Sequence, residues 1–107
     1  MAKYLFEVSY TLDGVKGLKA EGGSARVSAA TALIESLGGK VESFYFAFGG
    51  VDVYLTAELP DNVSAAAVVL AVSAGGGATS RTVVLLTPAE VDAAAAKKTT
   101  TYRPPGG

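Results

Sequence analysis

Apolar and polar residues alternate through residues 3–10, KYLFEVSY, so that Tyr4, Phe6, Val8 and Tyr10 share one side of an extended chain and Leu5, Glu7 and Ser9 the other. A period of two predicts a β-strand. Thr11-Leu12-Asp13-Gly14 then reads as a turn or a helix start, and residues 15–21 as one short helical turn that Gly22-Gly23 interrupts. The period lengthens after that. From Ser24, a candidate N-cap, to about Gly38, the apolar residues Val27, Ala30, Leu33, Ile34 and Leu37 recur at three- and four-residue spacing, with Arg26, Ser28 and Glu35 off the stripe. This is an amphipathic helix, stopped by Gly38-Gly39.

Residues 40–58, KVESFYFAFGGVDVYLTAE, read as two strands joined at Gly49-Gly50, an antiparallel hairpin. Strict alternation places Val41, Ser43, Tyr45 and Ala47 on one face and Glu42, Phe44, Phe46 and Phe48 on the other. In the second strand Val51, Val53, Leu55 and Ala57 oppose Asp52, Tyr54, Thr56 and Glu58. Neither face is plainly polar, whereas an antiparallel sheet with one solvated face shows a clean split. Cover on both sides is therefore expected.

Leu59-Pro60-Asp61 ends the hairpin, and Asp61 caps a second helix over residues 62–74 that has almost no polar face. Such a helix is buried on more than one side. Gly75-Gly76-Gly77 stops it, and residues 79–86 form a fourth strand. Thr87-Pro88-Ala89-Glu90 carries a capping box with proline at the first helical position, opening an alanine-rich helix through Lys98. Residues 99–107, TTTYRPPGG, are expected to be extended. The order predicts an α+β fold: a ferredoxin-like βαββαβ domain over residues 1–98, with a four-stranded antiparallel sheet and its helices on one face. A short C-terminal helix and an extended tail, residues 99–107, follow.

Composition narrows the chemistry. The 107 residues include no cysteine and no histidine, which removes thiol nucleophiles, Cys/His zinc sites and imidazole triads. No metal or cofactor is expected. The net charge of −1 leaves no electrostatic footprint for nucleic acid or an anionic membrane, and Lys97-Lys98 is the only adjacent basic pair. The longest apolar run, residues 65–72, is too short for a bilayer, and Met1-Ala2-Lys3-Tyr4 has no signal-peptide h-region. A cytoplasmic location is expected.

Several segments resemble the GYD-domain family of small bacterial and archaeal proteins, over nearly the whole chain. They are Lys3-Tyr4-Leu5, Gly22-Gly23-Ser24-Ala25-Arg26, Ser36-Leu37-Gly38-Gly39-Lys40-Val41, and Phe44-Tyr45-Phe46-Ala47-Phe48-Gly49 through Asp52. Leu59-Pro60-Asp61-Asn62, Leu85-Leu86-Thr87-Pro88 and Tyr102-Arg103-Pro104-Pro105-Gly106 complete the set. The tyrosine of the motif that names the family is Val51 here, between Gly50 and Asp52. The family is similar to the dimeric α+β barrels, in which two ferredoxin-like sheets pack face to face. That resemblance implies a homo-oligomer, at least a dimer, with room for a small apolar or aromatic ligand.

Five residues are candidates for ligand binding: Tyr10, Arg26, Glu42, Tyr45 and Asp52. Asp52 would be a carboxylate at a cavity mouth, or more plainly a turn residue bonded to backbone amides. Arg26 in a first helical turn would hold an anion, or pair with a neighbouring carboxylate. Tyr10, Tyr45 and Glu42 would line a pocket; core, interface or edge solvation is the plainer account. No residue is assigned a catalytic role. The expected function is a non-enzymatic small-molecule binder or structural assembly unit. The alternative, suggested by barrel-type enzymes that pair tyrosines with a carboxylate, is a cofactor-independent oxygenase or isomerase acting on a small aromatic or enolisable substrate.

Overall fold

The computed structural model describes residues 1–107. Strand β1 (Ala2–Tyr10) is followed by helices α1 (Leu12–Glu21) and α2 (Gly23–Ser36), and then by strands β2 (Lys40–Phe46) and β3 (Val53–Leu59). Helix α3 (Asn62–Ala74), strand β4 (Ala78–Leu85) and helix α4 (Pro88–Ala95) complete the chain. The strands form one four-stranded antiparallel sheet in the order β2-β3-β1-β4, the ferredoxin-like arrangement.

The alternation in β1 does what its period requires. Tyr4 and Phe6 are buried opposite Ala57 and Leu55 of β3, and with Val53 and Leu59 they form the sheet's half of the core. Ile34 of α2 and Ala65 and Val68 of α3 supply the other half. The Tyr4 hydroxyl donates to Asn62 Oδ1 at 2.6 Å, fastening the first strand to the start of α3. Asp61 caps that helix through the Ser64 amide at 2.8 Å.

The hairpin departs from strict alternation. Pairing passes from Val41–Ala57 to Ser43–Thr56, leaving Glu42 as a bulge. Val41 therefore shares the core side with Phe44, while Glu42, Ser43 and Tyr45 lie on the opposite face. The two strands are joined by the longer loop of residues 47–52, not by a tight turn at Gly49-Gly50. The loop's base closes where the Ala47 amide donates to the Asp52 carbonyl at 2.8 Å.

The segment expected to give a single helical turn is the ten-residue α1, capped by the Thr11 hydroxyl, which accepts from the Gly14 amide. Thr11 also reaches the far side of the fold: its amide donates to Gly77 O at 3.0 Å and its hydroxyl to Gly76 O at 2.9 Å. Gly14 permits this approach, since a Cβ there would stand 1.8 Å from Gly77 O. Gly22, at φ 84°, separates the first two helices and caps α2, so Ser24 is not the N-cap.

Two surfaces stay uncovered. Helix α3 buries Ala65 and Val68 but turns Val63 and Leu70 to solvent, so one side of it is packed rather than several. The C-terminal arm projects: every residue from 88 to 107 is exposed. The radius of gyration is 17.0 Å, against about 13 Å for a compact chain of this length. No helix is long and apolar enough to cross a membrane.

Candidate functional site

The sheet divides the five candidate residues. Glu42 and Tyr45 stand on the face away from α2 and α3, where Lys3 Nζ donates to Glu42 at 2.8 Å and to Glu58 at 3.1 Å. That face also carries Glu7 and Arg81, paired across β1 and β4, together with Leu5, Tyr54 and Val83. It is mixed: charged groups lie toward the two ends of the strands, uncharged Leu5, Val83, Thr56 and Ser43 lie between them, and Tyr45 and Tyr54 give aromatic surface at the β2 side. Two-sided apolarity, read from the hairpin alone, does not extend across the whole sheet.

The structure brings Tyr10, Arg26 and Asp52 together at the other face. Strand β1 ends at Tyr10, and α2 presents Arg26 one turn into the helix. Asp52 arrives from the β2–β3 loop, with Val51 beside it. Asp52 Oδ2 accepts from the Tyr10 amide at 2.7 Å, and the Asp52 amide donates to Val8 O at 2.9 Å. Burial pushes the Tyr10 phenol above its ordinary pKa, the nearby Arg26 guanidinium opposes that, and Asp52 adds to it. Tyr10 is thus a neutral hydrogen-bonding group at neutral pH.

Tyr10 and Arg26 stand at the mouth of an apolar chamber of about 120 Å³ between the sheet and helices α2 and α3. Phe6, Phe44, Leu55, Leu33 and Val68 form its walls. A second, larger groove of about 390 Å³, running between α1 and the glycine turn after α3, shares Tyr10, Arg26, Leu33, Val72 and Ala78 with the chamber. Gly17, Gly75 and Gly77 keep this groove open by having no side chain. Arg26 has one ion pair, a loose 3.8 Å contact with the exposed Glu21.

One polar group in the chamber escaped the sequence reading. Ser80 lines it, and its Oγ is shielded from solvent without a hydrogen-bond partner. The available signal was a hydroxyl on β4 at an inward position between Ala78 and Thr82. Inward and outward positions of β4 cannot be told apart by residue type, because Thr and Val occur on both sides.

The arrangement can hold a small molecule with an apolar body and an anionic or hydrogen-bonding head. Asp52, the carboxylate beside Tyr10, already accepts from a backbone amide, and Asp13 and Glu21 lie in the outer groove.

No curated protein and no solved structure matches the chain. The family model described as GYD domain matches residues 4–95, which takes in the sheet but for Ala2 and Lys3 of β1, the three helices packed on it or beside it, and α4. The chain belongs to the GYD-domain family.

Proposed function

We propose that the protein is a non-enzymatic homo-oligomeric assembly unit, at least a dimer, in which the C-terminal arm of one copy packs on α3 of another. One observation carries this: α4 is a capped eight-residue helix lying wholly in solvent. Isolated helices shorter than about 12–15 residues are marginal in water. The capping box, with Glu90 N donating to Thr87 Oγ1 at 3.1 Å and Thr87 N donating to Glu90 Oε1 at 2.9 Å, helps but does not replace a packing surface.

The same chain exposes a surface of matching character. Val63 and Leu70 on the outer side of α3 are 78% and 70% exposed, and Leu86 and Val91 of the arm are 58% and 51% exposed. Leaving a large apolar side chain in water forgoes about 1.5–3 kcal/mol. Reciprocal exchange of arms between two copies buries both sets in one closed, two-fold arrangement.

The open sheet face supports a different kind of contact. Burying Lys3, Glu7, Glu42, Glu58 and Arg81 in a dry interface carries a desolvation penalty that their pairing recovers only with good geometry. Two such faces brought together would enclose a polar space. The oxygenase or isomerase alternative calls for a tyrosine and a free carboxylate turned into a cavity of a few hundred Å³; the groove beside α1 has that size and Tyr10 lines it, but Asp52, the carboxylate beside Tyr10, is engaged by a backbone amide.

Sedimentation and light scattering at micromolar concentration test the proposal. The full chain is expected as a dimer or larger, whereas a chain ending at Leu86 and a Leu70→Glu variant are expected as monomers with unchanged circular dichroism of the sheet. A monomeric full chain would overturn it.

A further inference from the structure

We propose that the chamber between the sheet and helices α2 and α3 binds a compact apolar monocarboxylate, aromatic or short-chain aliphatic, whose acid group meets Arg26 and Tyr10 at the mouth. The chamber lies within one copy of the chain, so this site stands independently of the assembly proposed above.

The volume sets the size of the apolar body. A cavity of about 150 Å³ accommodates benzene in a protein interior. The chamber's 120 Å³ is smaller than that, so a single ring or a short chain seats with its acid-bearing end in the open mouth beside Arg26 and Tyr10. The void arises from small side chains at Ala29 and Ala30 on α2 and Ala78 on β4, where one larger residue would close it.

The polar groups set the chemistry. Arg26 is the one cation at the mouth, and a 3.8 Å contact with exposed Glu21 leaves its planar donors available for the two oxygens of a carboxylate. Tyr10 adds a phenol there, neutral at neutral pH as a tyrosine ordinarily is, with burial raising its pKa further. Deeper in, Ser80 Oγ has neither solvent nor a partner, and a hydroxyl or carbonyl oxygen on the ligand's body would satisfy it. The outer groove carries Asp13 and Glu21, and Asp52 lies beside Tyr10. These carboxylates repel a second negative charge, which selects monoanions over dicarboxylates and phosphates.

Calorimetry and ligand-observed NMR with benzoate, 4-hydroxybenzoate, benzyl alcohol, benzylamine and phthalate test the site. Benzoate is expected to bind once per chain, at least about tenfold tighter than benzyl alcohol, benzylamine or phthalate. Arg26→Gln, a partly exposed position whose substitution leaves the core intact, is expected to abolish the margin over the alcohol. 4-Hydroxybenzoate is expected to exceed benzoate in the native chain and to lose that advantage in Ser80→Ala. Equal affinity for acid and alcohol, a margin that persists in Arg26→Gln, or no binding by any of the five probes at millimolar concentration would overturn the proposal. The chain truncated after Leu86 is expected to bind benzoate as the full chain does, which separates failure of this site from failure of the assembly.

Discussion

Asp52 and Tyr10, forty-two residues apart, are joined by a 2.7 Å hydrogen bond in which the Tyr10 amide donates to the Asp52 carboxylate. Because the Asp52 amide also donates to Val8 O, one loop residue is fastened twice to the end of β1. The loop between β2 and β3 is thereby held against the mouth of the apolar chamber. Replacing Asp52 with alanine strands the Tyr10 amide and is expected to lower stability by about 1–2 kcal/mol. Asp52→Asn keeps an acceptor and should retain most of it. Urea denaturation of the two variants makes the comparison, and equal losses would contradict this role for the carboxylate.

Two glycines on α1 should respond in opposite directions. A Cβ on Gly14 would collide with the Gly77 backbone, and neither segment can move without breaking the Thr11 bonds to Gly76 and Gly77. Gly14→Ala is expected to destabilise by about 1–3 kcal/mol. A Cβ on Gly17 meets nothing within 4 Å, so Gly17→Ala in the same helix is expected to stabilise by about 0.5–1 kcal/mol. Thermal melts of both variants decide the matter.

The Tyr4 hydroxyl ties β1 to Asn62 at the first turn of α3, and the ring itself is buried. Tyr4→Phe keeps the ring and loses one hydrogen bond, an expected loss of about 1 kcal/mol, since the exposed Asn62 amide can turn to water. Phe6→Ala, which empties a fully buried site, is expected to lose about 3–5 kcal/mol. A Tyr4→Phe loss as large as that of Phe6→Ala would show that the ring had shifted.

Acid should weaken the fold through three surface carboxylates. Hydrogen bonding from Lys3 lowers the pKa of Glu58, the Ser64 amide lowers that of Asp61, and the Thr87 amide lowers that of Glu90. A carboxylate with a depressed folded-state pKa contributes stability that is present above its unfolded value and lost as pH falls through its folded value. The loss therefore begins in the ordinary carboxylate range, near pH 4.5 for the glutamates and 3.8 for Asp61, and continues below it. Lys3, raised mainly by its bond to Glu42 and then by that to Glu58, behaves in the opposite sense: its contribution fades only as pH climbs beyond 10.5. A Glu58→Gln, Asp61→Asn, Glu90→Gln triple variant is expected to lose less stability than the native chain between pH 6 and pH 3, measured as the shift in denaturation midpoint.

Local signals that depend on one element were legible in the sequence. The strand period of β1, the Asp61 and Thr87 caps and the glycine stops each reflect neighbours within a few residues, and each appears in the structure. The bulge at Glu42 was not legible, because it is a property of pairing with β3 rather than of β2 alone. It inverted the assignment of Val41 and Glu42 to their faces. The length of α1 was missed for a related reason: Gly14 and Gly17 argue against a helix locally, and the contact of Gly14 with Gly77 explains one of them. At the site, Tyr10, Arg26 and Asp52 stand out by residue type and turn position, but Asp52 meets Tyr10 through the β1–β3 register and Arg26 joins them through the placement of α2, neither of which is local to the sequence. Ser80 carried no local sign of its burial.

The bulge at Glu42 has a bearing on how copies can combine. It kinks β2, which forms one border of the sheet, and puts two adjacent polar side chains, Glu42 and Ser43, on the same face. A border strand broken in this way is a poor template for the main chain of a stranger, which guards against open-ended stacking into fibres. Growth by adding strands is thus discouraged at that edge, whereas β4, the opposite border, pairs with β1 without a break in register and keeps its outer side regular.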